Sequence, residues 1–195
     1  MPTLYAAPNP PVALISDDDY LRRVRRTSRA MVLACTALIA VLPVALVLYW
    51  WTASAGELAS QGNLQSGAIQ ANLQAWQRVM AALVSTVPLG LLLMGIWQAR
   101  RCFVQFALGQ VFTLQAVACL RRFAGWVALA AAAAIIAGAV ISVVLTFNNL
   151  PGTRQLSFGI SSNHLFTVFF AALVWLLADV IGQGQALAQE NRQFV

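Results

Sequence analysis

Residues 30–52 read AMVLACTALIAVLPVALVLYWWT and contain no charged side chain. At a rise of 1.5 Å per residue, a helix of this length is about 34 Å long, whereas the hydrocarbon core of a bilayer is about 30 Å thick. Tyr49, Trp50 and Trp51 close the run, and such aromatic residues are enriched at the membrane–water interface. The stretch therefore predicts a transmembrane helix.

Three further apolar runs follow, at residues 79–97, 124–147 and 165–181. The last is the shortest and needs flanking residues to complete a span. Of the 195 residues, 60% are hydrophobic and 9% are charged, whereas soluble domains carry about 25% charged residues. The sequence predicts an all-α, polytopic membrane protein in which residues 16–195 form a single domain with four transmembrane helices. Residues 1–15 hold four prolines and are predicted to be a disordered tail.

The first run has a rival interpretation as a cleaved signal peptide. Ala53-Ser54-Ala55 has the A-x-A pattern of a signal-peptidase site. The apolar region of a signal peptide is usually about 7–15 residues long, however, and this run is longer and follows an acidic cluster at residues 17–19. These features favour a membrane anchor.

The arginines predict the orientation of the spans. The chain has no lysine, and its 12 arginines lie mainly at the ends of apolar runs. If the N-terminus is cytoplasmic, the outer loops at residues 53–75 and 148–164, with the residues beside them, carry only Arg78 and Arg154, and the other ten arginines are inside. This bias predicts that both termini are cytoplasmic. It also argues against a direct nucleic-acid partner, since the arginines mark topology and form no patch along one face.

The segment 98–122 between spans two and three is predicted to be a cytoplasmic helical hairpin. Gly109 fits a helix C-cap and Thr113 fits the N-cap of the next helix. Two interpretations remain open. The hairpin can pack on itself while its arginines contact anionic lipid headgroups, or it can bind a cytoplasmic protein. The candidate face for a partner or a lipid headgroup consists of Arg100, Arg101, Phe112, Thr113, Arg121 and Arg122.

Asp179 is the one acidic residue inside an apolar run. A carboxylate in a membrane is costly and is often functional, although its cost falls near the interface. Because Asp179 lies close to the predicted inner boundary, we expect an ion pair with one of four arginines. A proton or ion pathway and simple solvation are the alternatives. The four arginines are Arg100, Arg101, Arg121 and Arg122.

Span three carries a ridge of small side chains spaced four residues apart, at Ala130, Ala134, Gly138 and Ser142. Such a ridge lets another backbone approach closely. The ridge is predicted to pack within the protein, and a homodimer face is the alternative.

The sequence shows no pattern of residues typical of catalysis. His164 is the single histidine, and one imidazole without neighbouring carboxylates or thiolates makes a poor metal site. No HExxH, GxSxG, P-loop or GxGxxG motif occurs. We therefore expect no catalytic residues, no metal and no cofactor, and we do not expect an enzyme.

Residues 100–126, RRCFVQFALGQVFTLQAVACLRRFAGW, resemble the signature of a bacterial membrane family known as domain of unknown function 2975. In that family, a Gly/Lys-x-x-Phe-Ser/Thr stretch precedes a helix with a valine, a leucine and basic residues. The C-terminal segment LLADVIGQGQALAQENRQFV is also similar to the family. The family has an acidic stretch near this end, and here Glu190 is the one acidic residue in that stretch. The matching positions are Gly109, Phe112, Thr113, Val117, Leu120, Arg121 and Arg122.

The resemblance implies a four-helix protein of the bacterial inner (cytoplasmic) membrane. Members of this family are often encoded beside small helix-turn-helix regulators. The resemblance thus implies a regulatory or interaction role, in which the cytoplasmic face tethers such a regulator. The alternative is a small transporter, channel subunit or lipid-binding membrane protein, for which the sequence offers few polar groups in the spans beyond Thr36, Ser85, Thr86 and Ser142.

Overall fold

The computed structural model describes residues 17–65, 68–69, 73–108, 113–150 and 152–193. Over these residues the protein is entirely helical and contains no strand. The predicted all-α fold with four long apolar helices is confirmed, because four of its helices are long and apolar enough to cross a membrane. The predicted disordered tail, residues 1–15, lies outside the described residues. The helices are α1 (Asp17–Thr52), α2 (Ala55–Gln61), α3 (Ala75–Ala107), α4 (Leu114–Thr146) and α5 (Ser162–Gln193).

The long helices extend well beyond the apolar runs. The segments that could span a membrane are Arg25–Thr52, Ala75–Ala107, Gln115–Thr146 and Ser162–Ala186. The fourth run, residues 165–181, therefore gains residues at both ends and reaches a spanning length. The extensions of α3 and α4 bring the predicted hairpin together at one end of the molecule.

The four long helices form a single row in the order α1, α3, α4, α5. Each packs extensively on its neighbours in that row, and α2 packs on α4. In α4, 39% of the most apolar 18-residue stretch is buried, compared with 6% to 17% in the other three helices. Helix α4 is therefore the centre of the fold, and the row leaves much of its apolar surface exposed, as suits a surface that contacts lipid.

Small residues bring the neighbouring helices close together. A Cβ atom at Gly95 of α3 would lie 3.4 Å from Trp126 Cβ of α4. On the other side of α4, a Cβ atom at Gly125 would lie 3.5 Å from the ring of Trp175 in α5. Because lipid offers no hydrophobic force between helices, such close contacts stabilise the packing by dispersion.

Helix α2 lies in the segment 53–75, which the pattern of apolar runs predicts to be an outer loop. Ser54 is its N-cap, and Ser54 and Glu57 form a capping box. The backbone N–H of Ser54 donates to Glu57 Oε2 at 2.7 Å, and its hydroxyl donates to the same atom at 2.9 Å. These hydrogen bonds, first the backbone one, lower the pKa of Glu57. The helix forms because both ends are satisfied and because its apolar residues Leu58 and Ala59 are fully buried.

The main buried core lies at the end of the molecule that contains α2. Two segments cover the ends of α1, α3 and α4 here, namely residues 53–65 and 152–161. We call these two segments the loop cap. Its two segments are joined, since Ser157 Oγ donates to Asn63 O at 2.8 Å and Ser157 N donates to Ser142 Oγ at 3.0 Å. The buried hydrophobic cluster consists of Trp50, Ala53, Leu58, Ala59, Leu64, Ala81, Ile141 and Leu145.

The loop cap also covers part of the small-residue ridge of α4. A Cβ atom at Gly62 would lie 3.1 Å from Ser142 Cα, and one at Gly138 would lie 3.2 Å from Asn63 Nδ2. Asn63 itself has a positive φ of 51°, a conformation that asparagine tolerates better than most residues. Gly138 and Ser142 thus pack inside the chain, while Ala130 is also buried and Ala134 is half-buried.

Candidate functional site

Four arginines form a belt across α3 and α4 at the end of the molecule opposite the loop cap, which we call the arginine end. We call Arg100, Arg101, Arg121 and Arg122 the arginine belt. The antiparallel packing of α3 and α4 sets its level, as shown by Cys102 Sγ, which lies 3.8 Å from Ala116 O just beyond it. On α3, Trp76 and Trp97 are 21 residues apart, or about 31 Å, which matches the thickness of a hydrocarbon core. The belt therefore lies at the boundary of the apolar slab.

The arginines of α3 contact α1 and the ring of Trp97. Arg100 Nε donates to Thr36 Oγ1 at 3.0 Å, which ties α3 to α1. The guanidinium carbon atoms of Arg100 and Arg101 lie 5.6 Å and 6.0 Å from the centre of the Trp97 ring. These distances are typical of cation–π contacts.

Asp179 of α5 pairs with Arg121, one of the four arginines that the sequence nominates. The Arg121 Nε and Asp179 Oδ1 atoms are 3.3 Å apart, and the two side chains are 49% and 38% exposed. The Arg121 guanidinium also lies 5.3 Å from the centre of the Trp175 ring. Since both side chains are well exposed, the pair contributes about 0–1 kcal/mol. Its structural effect is to join α4 to α5 at the level of the belt.

Arg122 differs from the other three arginines. It is exposed, and among the described residues it has no hydrogen-bond, ion-pair or ring partner. A cavity of about 670 Å³ lies between α4 and α5 on one side of it. A second cavity, of about 480 Å³, lies between α3 and α4 on the other side. Arg122 and Ala118 line both, so the two cavities open on the same face of the row.

Small residues hold together the two helices of the hairpin beyond the belt. Cys102 and Ala116 are the buried residues between its two helices, whereas Phe103 and Phe106 are half-buried and stack edge-to-face on each other. Thr113 occupies the predicted N-cap position, and its Oγ1 accepts a hydrogen bond from Ala116 N at 3.2 Å. Gly109 and Phe112 lie outside the described residues.

The other polar residues nominated from the sequence make local contacts. The Nδ1 atom of His164 lies 2.7 Å from Ser161 Oγ. The hydroxyl groups in the spans each donate to a carbonyl of their own helix, and these groups belong to Thr36, Ser85, Thr86 and Ser142. In the described part of the chain, no group of three His, Cys, Asp or Glu side chains could hold a metal ion.

Two polar residues at the loop-cap end were not singled out from the sequence as structural residues. Arg78 Nη1 donates to the carbonyl oxygens of Trp50, Trp51 and Ala53 at 3.1–3.3 Å, and so satisfies groups that the end of α1 leaves free. Gln77 is 1% exposed, and its Nε2 donates to Val144 O at 2.9 Å. A polar residue in the first turn of a predicted span is the signal that could have indicated both.

Comparison of the chain with protein-family models, curated proteins and solved structures finds no significant match. The resemblance to the family of unknown function therefore rests on the motif residues in segment 100–126 and in the C-terminal segment. Membership of that family stays a prediction.

Proposed function

We propose that this chain is a small multi-pass protein of a bacterial inner membrane that binds a cytoplasmic protein and holds it at the membrane surface. The observation that carries the proposal is the projection of α3 and α4 beyond the apolar slab. Helix α3 continues from Trp97 to Ala107, which is about 15 Å. The exposed residue that follows, Leu108, is 68% exposed. On this proposal, the apolar side chain at the tip is a contact point for the partner.

The distribution of arginine supports a cytoplasmic location for this tip. Ten of the 12 arginines belong to segments at the tip end of the spans, whereas Arg78 and Arg154 lie at the loop-cap end. Loops rich in arginine are retained on the cytoplasmic side. On this proposal, both termini and the arginine belt are cytoplasmic, and the loop cap faces the other side.

The chemistry of the tip suggests what the partner looks like. Leu108 and the half-exposed Val104 are apolar, and the arginine belt lies directly behind them. The complementary surface is an apolar pocket with an acidic rim, since opposite charges guide association and set the register. The resemblance of segment 100–126 implies that the partner is a small helix-turn-helix regulator, which the protein would keep away from DNA.

Site-specific photo-crosslinking in living cells tests the proposal. A photoreactive amino acid replaces Leu108 at the tip, and the matched control replaces Leu156, which is 62% exposed at the loop-cap end. We expect an adduct with a soluble DNA-binding protein from position 108 and none from position 156. Deleting the membrane protein should then release that regulator into the soluble fraction. Adducts with lipid or with the chain itself alone would contradict the proposal.

The alternative, a small transporter or channel subunit, requires polar groups that converge near the middle of the membrane. It is less favoured because the hydroxyl groups of the described spans are occupied by their own helices, as for Ser85 and Ala81 O at 2.9 Å. The Asp179→Asn variant tests this alternative through flux measurements in vesicles. A measurable flux that the variant loses would favour transport over binding.

A further inference from the structure

We propose that the arginine belt contains a binding site for one anionic phospholipid, whose phosphate is held by Arg122 and Arg101 and whose acyl chain lies between α4 and α5. The site lies on the side of the helices at the membrane boundary. It shares Val104 and the belt arginines with the partner surface proposed above, but its existence does not depend on that partner. It requires only that the four helices lie in a membrane.

The charges around the cavity between α3 and α4 favour an anion. Its lining includes Arg100, Arg101 and Arg122, together with the amides of Gln105 and Gln115, and no carboxylate. Asp179, the acidic side chain that contacts the belt, is paired with Arg121 and does not line this cavity. Three guanidinium groups therefore line one cavity without a neutralising partner, and basic pockets between helices at a membrane boundary bind anionic headgroups.

The hydrogen-bond donors in this cavity are not equally available. Arg100 donates to Thr36. Arg101 stacks on Trp97 through its ring contact, which leaves its N–H groups free, and Arg122 has no partner among the described residues. Arginine binds phosphate oxygens through two parallel hydrogen bonds. Arg101 and Arg122 are thus the groups that can hold a phosphodiester.

The neighbouring cavity provides the apolar part of the site. It shares Arg122 with the first cavity and continues toward the membrane along Trp126, Leu129 and Trp175. Leu129 is seven residues from Arg122, or about 10 Å along the helix. Gly125 also lines this groove, and a Cβ atom placed there would lie 3.5 Å from the Trp175 ring. A lipid fills both cavities, whereas a soluble phosphate compound fills only one.

Lipid binding to the purified full-length protein in detergent tests this inference. Native mass spectrometry counts bound phosphatidylglycerol and, in parallel, phosphatidylcholine with the same acyl chains. We expect one phosphatidylglycerol, bound about tenfold more tightly than phosphatidylcholine, and a loss of about tenfold in Arg122→Gln, because one charge-assisted phosphate contact is removed. The control is Arg154→Gln, an arginine at the loop-cap end whose guanidinium lies 4.7 Å from the Phe147 ring, and it should bind like the wild type.

Three outcomes overturn the inference. Equal binding of the two lipids, or equal effects of Arg122→Gln and Arg154→Gln, would show that no specific site exists at the belt. Displacement of phosphatidylglycerol by an equal concentration of glycerol 3-phosphate would show a site for anions in general and none for lipid. Arg101→Gln is the second variant, and it should also weaken phosphatidylglycerol while leaving the helical circular-dichroism signal unchanged.

Discussion

The two ends of this molecule treat their polar side chains in opposite ways. At the loop-cap end, Gln77 and Arg78 donate to backbone carbonyl groups and help to close the structure. At the arginine end, Arg101 and Arg122 are exposed and hydrogen-bond to none of the described residues. Arginine therefore closes the structure at the loop-cap end, whereas at the other end Arg100 and Arg121 join helices and Arg101 and Arg122 keep their N–H groups free of the described residues.

The difference extends to the apolar residues. Both ends expose some apolar side chains, such as Leu108 beyond the belt and Leu156 of the loop cap, but the main buried cluster, which includes Leu58, lies at the loop-cap end. A membrane protein whose core lies in its extramembrane cap gains hydrophobic stabilisation there, where the unfolded chain would meet water. The helices in the slab add dispersion contacts. The main buried core is thus at the loop-cap end, and the proposed binding surfaces are at the opposite end.

The largest expected effect on the free energy of unfolding comes from comparing one leucine substitution at each end. Leu58→Ala should lower the free energy of unfolding by about 2–5 kcal/mol, because it leaves a cavity in the loop cap. Leu108→Ala should change it by less than about 0.5 kcal/mol, as expected for an exposed site. Denaturant unfolding in detergent micelles measures both. Equal effects would contradict the division between the ends.

A smaller effect is expected at a buried amide. Gln77→Leu should cost about 1–3 kcal/mol, because buried groups lose their partners, among them the backbone N–H of Gln74, which donates to Gln77 Oε1 at 3.0 Å. The control is Gln183→Leu, at an exposed position of α5. Thermal unfolding of the two variants provides the comparison, and a wild-type midpoint for Gln77→Leu would show that the amide is dispensable.

The ion pair at the arginine end should contribute less to the free energy of unfolding than Leu58 or Gln77. Asp179→Asn removes the charge that faces Arg121, and we expect a loss of at most about 1 kcal/mol, since both side chains are well exposed. A double-mutant cycle with Arg121→Gln isolates the coupling energy. Coupling of several kcal/mol would place the pair inside the hydrocarbon and contradict its position at the boundary.

The smallest expected effect is the dependence of stability on pH through Glu57. The hydrogen bonds from Ser54 lower the pKa of Glu57 in the folded state below its usual 4.5. Its contribution is therefore fully present above 4.5 and is lost as the pH falls through the lower folded value. Glu57→Gln should be less stable than the wild type at neutral pH, and the difference should vanish in acid. Hydrogen exchange of the α2 amides measures it, and a pH-independent difference would argue against the capping box.

The four spans could be predicted because an apolar run is a local signal that no long-range contact can override in a membrane. Helix α2 could have been predicted in part, since Ser54 and Glu57 have the Ser-x-x-Glu spacing of a capping box. Its seven residues are too few to show a helical period, however. Its burial depends on the C-terminal part of α4, where Ser142 lies 80 residues further along the chain than Gly62.

The sequence limited the candidate site without resolving it. The sequence offers four arginines as ion-pair partners for Asp179. The pairing with Arg121 depends on the register between α4 and α5. That register is visible only in packing, as in the contact of Gly182 with Val117. The spacing of small residues predicts close packing at Gly138 and Ser142, but the sequence cannot show that Gly62 and Asn63 are the residues that cover them. The special position of Arg122, between two cavities, likewise requires three helices to be in place.

Labelling of single cysteines in intact cells tests the central claim most directly, namely that the two ends lie on opposite sides of the membrane with the arginine end inside. After replacement of the native Cys35, Cys102 and Cys119, one cysteine is placed at Gly56, where a Cβ atom meets nothing within 4 Å, or at the exposed Leu108. A maleimide that cannot cross the inner membrane should label Gly56→Cys before lysis and Leu108→Cys only after lysis. The reverse pattern, or labelling of both before lysis, would contradict the account.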